Sequence, residues 1–150
     1  MAHAPPSLSI IVPAYNEEER LGPTFETLGA WMDAQAREVE VLVVDDGSTD
    51  DTAALVQARA KVDRRVKLAR NGANRGKGYS VGHGVSKAKG ELVLFSDADL
   101  STPLSEFERL EAALSGHDIA IGSRALPDSR LEKRQPFYRE MMGRTFNLFV

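Results

Sequence analysis

Cysteine is absent from all 150 residues, which removes a disulfide framework and a thiolate metal site at once and is compatible with a reducing compartment. Also missing is any apolar run long enough to span a bilayer. The opening stretch, Met1 to Ser7, has no apolar core of the signal-peptide kind and reads as a disordered leader. Nor is there a surplus of positive charge: 19 Lys and Arg stand against 22 Asp and Glu, for a net charge of -3. A nucleic-acid binder concentrates basic residues on one face, so no nucleic-acid partner is expected. No internal repeat or low-complexity tract is visible. What remains is a chain of single-domain size, long enough for a real core but short for an enzyme that must hold both a nucleotide and a second substrate. Its last residues, Asn147-Leu148-Phe149-Val150, fall within helical apolar spacing rather than a polar tail. A domain over 8–150 that is incomplete at its C-terminal end is therefore expected.

Five short β-branched or apolar runs have strand length: Leu8 to Val12, Val39 to Val44, Val66 to Ala69, Leu92 to Phe95 and Ile119 to Ile121. Helical stripes separate several of them. Leu21, Phe25, Leu28 and Met32 form one, Ala53, Val56 and Ala60 a second, and Leu104, Phe107, Leu110 and Leu114 a third. Alternation of strands and helices predicts an α/β, Rossmann-like, mostly parallel sheet with helices on both faces. Ligands of such sheets gather at the carboxyl ends of the strands, so the residues that follow each strand are the candidates for function. The charged stretch Leu126 to Gln135 reads as a long loop. Beyond it, Phe137, Met141, Phe146 and Phe149, with Arg139 and Arg144 interspersed, pattern an amphipathic helix that either completes a core or gives peripheral membrane association.

The fourth run ends in Ser96-Asp97-Ala98-Asp99. On extended chain, residues two apart point the same way, so Asp97 and Asp99 are expected to converge on one hard divalent ion that bridges to substrate phosphates. The competing structural role is an acidic turn before a helix, with Thr102 as N-cap and Pro103 at the first helical position. After the first run, Asn16 suits a helix cap and Glu17 to Glu19 suit the positive end of that helix, while the Tyr15 ring is shaped to pack on a planar base. After the second, Asp46 is a candidate acceptor for a nucleobase N–H or a ribose hydroxyl, with Asp45 as its supporting partner. After the third, Asn71 to Gly78 carries Arg75 and Lys77 among glycines. This is not a P-loop, because Gly72 and Gly76 are one residue too close and Gly78 stands where Ser or Thr belongs; Lys77 can still serve a phosphate. After the fifth, Arg124 can fork onto a phosphate.

Taken together, Val12-Pro13-Ala14-Tyr15-Asn16-Glu17, Val43-Val44-Asp45-Asp46-Gly47-Ser48 and Ser96-Asp97-Ala98-Asp99 resemble the nucleotide-binding half of a family 2, GT-A type glycosyltransferase. Asn74-Arg75-Gly76-Lys77-Gly78, and Gly122-Ser123-Arg124 followed by 139–147, are similar to the subgroup that makes dolichyl-phosphate or polyprenyl-phosphate glucose. The resemblance implies inverting transfer of glucose from UDP-glucose to a lipid phosphate. It places Pro13, Ala14, Tyr15, Glu17, Asp45, Asp46, Lys77, Asp97 and Ala98 around the nucleotide. Mg2+ or Mn2+ would sit at Asp97 and Asp99, with Arg124, Arg134 and Arg139 at the acceptor phosphate and Asp97, Asp99 and Arg124 serving catalysis. The expected location is the cytoplasm or the cytoplasmic face of a membrane. GDP-mannose as donor, a sugar hydroxyl as acceptor, and nucleotidyl transfer on a similar scaffold stay open on the residues alone. A receiver-like signalling domain fits poorly, since Arg124 stands where such a domain carries Lys.

Overall fold

A computed structural model describes residues 6–122, in which the chain divides into two units parted between Glu106 and Phe107. The first holds a four-stranded parallel sheet of β1 (Leu8–Ala14), β2 (Val39–Asp45), β3 (Val66–Arg70) and β4 (Leu92–Phe95), in the spatial order β3-β2-β1-β4. Helices α1 (Glu18–Asp33), α2 (Thr52–Val62) and α3 (Lys77–Lys87) connect consecutive strands. A 3-10 turn, Leu104–Glu106, closes this unit, and α4 (Phe107–Ala113) belongs to the second.

The order of strands dictates where the helices lie. From β1 to β3 the chain steps outward in one direction, then jumps back across β1 to reach β4. Right-handed crossovers put α1 and α2 on one face and, because the direction reverses, α3 on the other. Both central strands are therefore covered twice, and every residue of β2 is buried, as is all of β1 except a half-buried Pro13. This explains why their sequences read as nearly continuous apolar runs rather than alternating ones. Ile11, Leu42, Val44 and Ala69 form the core on the α3 side. There the sheet also buries a polar network: Glu40 accepts from Ser9 Oγ, Lys67 Nζ and the backbone N–H of Lys89. Burial pushes the Glu40 carboxyl up, but those three donors outweigh it and hold the group below its ordinary range.

Helix α3 has no apolar stripe in its sequence, Lys-Gly-Tyr-Ser-Val-Gly-His-Gly-Val-Ser-Lys, and intrinsic propensity disfavours it. Packing overrides propensity because Gly84 lets the helix backbone lie directly on the sheet. A Cβ at that position would enter the envelope of Ile11 Cγ2 and stand 3.1 Å from Val44 Cγ2.

Two expectations from the sequence are corrected. Residues 119–121 form no strand; Ile119 and Ile121 are 79% and 81% exposed. Three apolar residues satisfy the pattern of a strand without the ladder partner that makes one. The leader is shorter than expected, because Ser7 is already tied to the sheet edge by its N–H to the Glu38 carbonyl and by its own carbonyl to the Leu92 N–H. The stripe of α1 is as read, with Leu21, Phe25, Leu28 and Met32 all buried.

Gly84→Ala is expected to destabilise the protein by about 1–3 kcal/mol through overpacking against Ile11. Gly82→Ala, on the same helix with nothing within 4 Å of its added Cβ, is expected to be neutral or to stabilise by up to about 1 kcal/mol. Urea unfolding of the two variants checks this; equal effects would contradict the close approach of α3.

Candidate functional site

Because the chain leaves β1 toward one side of the sheet and returns to β4 on the other, a crevice opens above the carboxyl ends of these two neighbours, the switch point at which open α/β sheets bind ligands. A cleft of about 340 Å3 lies there. Its walls are Pro13, Ala14 and Tyr15 from the end of β1, Glu17 and Arg20 from the start of α1, Asp46 after β2, Asn74, Gly76, Lys77 and Ser80 around the start of α3, and Asp97, Ala98 and Asp99 after β4. Nine residues singled out in the sequence are thus gathered in one place: Pro13, Ala14, Tyr15, Glu17, Asp46, Lys77, Asp97, Ala98 and Asp99. Asp45 is not among the lining residues. It is fully buried, accepting from the Ser48 N–H at 2.9 Å and Arg70 Nε at 3.0 Å. Arg124, Arg134 and Arg139, with the loop and helix expected around them, lie outside the described residues.

Asp97 and Asp99 reach the cleft by a different route from the one expected. The last sheet bond of β4 runs from the Ser96 N–H to the Ile11 carbonyl, and Asp97 to Leu100 then form a turn, closed by the Leu100 N–H on the Asp97 carbonyl at 3.0 Å. Leu100 adopts a φ of 49°. The extended-chain rule therefore does not apply to the two acids; the turn directs them instead. Thr102 does not start a helix either, since the helical turn begins at Leu104. The local side-chain bonds come from Ser101, whose N–H and Oγ both donate to Asp99 Oδ1, at 3.0 and 2.6 Å. That Ser101 hydroxyl bond, working against burial and helped by the charge of Arg20, holds the Asp99 carboxyl below its usual range.

Asp97 Oδ1 is buried and has no aligned hydrogen bond, although Lys77 Nζ stands 2.6 Å away as an ion-pair contact. The ammonium also sits 5.2 Å from the centre of the Phe95 ring. Four carboxylates line the cleft against two cations, an imbalance that opposes a bare diphosphate and favours an added cation. Among the described residues, no cluster of three or more His, Cys, Asp or Glu is placed to hold a metal alone. A pair of carboxylates that leaves the other positions to water and substrate phosphates is the donor set Mg2+ takes. These residues fit such an ion.

The opposite wall is built around Asp46. Its Oδ1 accepts from Asn71 Nδ2 at 2.6 Å and the Arg75 N–H at 2.9 Å, and its Oδ2 accepts from the Gly76 N–H at 2.7 Å. Gly76 takes a φ of 88°, where a side chain is strained, and presents its N–H to the carboxylate. Burial raises the Asp46 carboxyl, but this set of donors prevails and keeps it lowered. Asp46 thus fixes the loop that carries Lys77. Asn71 completes the wall, donating also to Ser80 Oγ at 2.9 Å and meeting His83 Nδ1 at 2.6 Å.

Asn16 proves to be a cross-link rather than a helix cap: its Oδ1 accepts from the Thr49 N–H, and its own N–H donates to Ser48 Oγ. The caps come from across the sheet end. Asp50 accepts from the N–H groups of both Glu18 and Thr52, Thr52 Oγ1 accepts from the Glu17 N–H, and Glu18 returns a carboxylate oxygen to the Asp51 N–H. Two helix N-termini are locked together beneath the cleft. Arg20, Asn74 and Ser80 were not singled out as site residues from the sequence. Arg20 lies one helical turn beyond Glu17 and pairs with it at 2.8 Å, so the phase of α1 was the available signal.

A carboxyl depressed in the folded state stabilises fully above its unfolded value and loses that contribution as pH falls through the folded one. Asp46 should therefore cost the protein stability below about pH 4. Asp46→Asn is expected to lower stability near neutral pH and to flatten the fall in stability at acid pH, measured by urea unfolding across pH. An unchanged acid slope would contradict the role assigned to Asp46.

The comparisons with known proteins agree with this geometry. A model of glycosyl transferase family 2 matches residues 9–149. A dolichyl-phosphate beta-glucosyltransferase of Trichomonas vaginalis is 34% identical over 154 residues, covering 95% of this chain and 45% of that protein. Mannosyltransferase PcManGT of Pyrobaculum calidifontis, solved in complex with GDP-Man and Mn2+, aligns with a TM-score of 0.55 and 30% identity over 63% of this chain and 28% of its own. S. aureus TarS 1-349, in complex with UDP-GlcNAc, aligns with a TM-score of 0.59 and 28% identity over 85% of this chain and 38% of its own. The chain spans about half the length of the curated relatives it matches. Its sheet and helices are the GT-A arrangement of these enzymes, and the chain belongs to glycosyl transferase family 2.

Proposed function

We propose that this chain is the donor-binding part of an inverting glycosyltransferase that moves a hexose, glucose from UDP-glucose, onto a dolichyl or polyprenyl phosphate with the help of Mg2+ or Mn2+. The observation that carries the reading is the cleft at the β1/β4 switch point, with Asp97 and Asp99 on one side, Lys77 between the walls and Tyr15 at the rim. Support for the lipid-phosphate acceptor comes from the relative named a dolichyl-phosphate beta-glucosyltransferase. Support for a divalent ion comes from the carboxylate excess of the cleft and from the Mn2+ in the PcManGT complex.

In this reading Pro13, Ala14, Tyr15 and Glu17 surround the nucleoside. The Tyr15 ring, 45% exposed at the cleft, offers a face for the base. Asp46 acts through the loop it orders and, within that cleft, remains available to the nucleoside. Asp97 and Asp99 would hold the cation, whose part is to neutralise charge on the diphosphate. Lys77 exchanges its contact with Asp97 for the leaving diphosphate, placing a positive charge where negative charge accumulates as the sugar–phosphate bond breaks. A phosphate acceptor is already anionic near neutral pH, so it needs positioning more than deprotonation. Arg124, Arg134 and Arg139 are assigned that positioning from the sequence.

Calorimetric titration with UDP, GDP, UDP-glucose and GDP-mannose, each with and without Mn2+, tests the proposal. Mn2+-dependent binding of UDP and UDP-glucose is expected, weakened at least about tenfold by Asp99→Ala, in line with the cost of disturbing metal ligation. Preference for ATP would favour nucleotidyl transfer, and preference for GDP-mannose would replace the assigned donor. Nucleotide affinity indifferent to Mn2+ would contradict the metal assignment.

A further inference from the structure

Past the final ladder bond at Ser96, the backbone that carries Asp97 and Asp99 has left the sheet. The bonds inside the turn are local: the Leu100 N–H on the Asp97 carbonyl, and Ser101 on Asp99. They shape the turn but do not fix it to the rest of the protein. Among the described residues, α1 supplies a hydrogen bond that does. Thr24 Oγ1 donates to the carbonyl oxygen of Ala98 at 2.5 Å, across 74 positions of sequence. Both residues are 5% exposed. A helical Thr ordinarily gives its hydroxyl to the carbonyl four residues back, and Arg20 O is present at 2.9 Å. The hydroxyl has one proton, and the shorter contact to Ala98 lies between the two acids.

We propose that Thr24 is a positioning residue for the divalent-cation site, holding the Asp97-Ala98-Asp99 turn against α1 so that both carboxylates face the cleft. The inference rests on the metal-assisted reading of that cleft. Helix α1 is a rigid support for this purpose, since its N-terminus is locked to that of α2 through Asp50, Thr52 and Glu18. Arg20, one turn earlier on the same helix, lines the cleft, so α1 contributes a guanidinium to the wall and a hydroxyl behind it. Without the hydroxyl, the Ala98 carbonyl loses its donor in a buried place, and the turn is left to its local bonds.

The test uses Mn2+ alone, followed by the electron paramagnetic resonance signal of the free ion, on wild type, Thr24→Val, Thr24→Ser and, as control, Asp99→Ala. Thr24→Val is expected to weaken Mn2+ binding roughly 10- to 100-fold, the range for residues that orient metal ligands. Thr24→Ser, which keeps the hydroxyl, is expected to stay within about twofold of wild type on the same scale. UDP binding in EDTA, read by calorimetry, should be nearly the same in all three. Wild-type Mn2+ affinity in Thr24→Val overturns the inference, as does a Thr24→Ser variant as weak as Thr24→Val, or equal losses with and without metal. Should Thr24→Val fail to fold, Thr24→Ala against Thr24→Ser isolates the hydroxyl by the same readouts. Wild type that binds Mn2+ but no nucleotide would sink the transferase reading and leave the Thr24 comparison standing; wild type that binds no Mn2+ would overturn the inference itself.

Discussion

The contact between Lys77 Nζ and Asp97 Oδ1 joins the two halves of the cleft, and the rest of the site is arranged around it. Lys77 comes from the start of α3 on one face of the sheet, and Asp97 from the turn after β4. They meet because β4 lies beside β1, with α3 crossing over on the way. A buried carboxylate oxygen without an aligned donor is costly, and an ammonium 2.6 Å away meets that cost only by charge. Such a pair is open to exchange. A divalent ion can take the carboxylate and a diphosphate the ammonium, so that both groups gain stronger partners when donor and metal enter together.

Each wall is held by a different device, and each device is made of hydrogen bonds rather than apolar packing. On one side the Asp46 carboxylate gathers the N–H groups of Arg75 and Gly76 and the amide of Asn71, which sets the direction in which α3 starts and hence where Lys77 stands. Beneath β1 and β2, Asp50 serves the first turns of α1 and α2 at once. From α1, Thr24 reaches the acidic turn. The strands, by contrast, contribute mainly a fully buried platform. Carboxylates in this protein therefore have two separate tasks: Asp45, Asp46 and Asp50 are satisfied by the protein, while Asp97 and Asp99 retain capacity toward the cleft.

Much of this was legible in the sequence. Strands β1 to β4 and helix α1 follow from apolar runs and stripes, because burial on both faces of a parallel sheet leaves a pattern that composition cannot hide. The principal lining residues followed from the rule that strand ends carry function. Helix α3 was not legible, since its glycines remove both propensity and stripe; it forms because Gly84 fits against Ile11 and Val44, a tertiary fact. The run Ile119 to Ile121 misled for the converse reason, offering apolar residues without a ladder. Asp97 and Asp99 were identified by type and spacing, yet their geometry comes from a turn. The second role of Asp46 was invisible because its partners lie about 30 residues away in sequence. Thr24 carries no signal in the chain at all: one hydroxyl on a helix acquires its meaning only from the carbonyl it meets.

The most direct measurement is an anomalous difference map from crystals grown with Mn2+ and UDP. A peak within coordination distance of Asp97, Asp99 and the diphosphate oxygens, with Lys77 turned from Asp97 toward phosphate, is the result expected. Density for UDP in the cleft with no manganese peak at the acidic turn, and Lys77 still seated on Asp97, would contradict it.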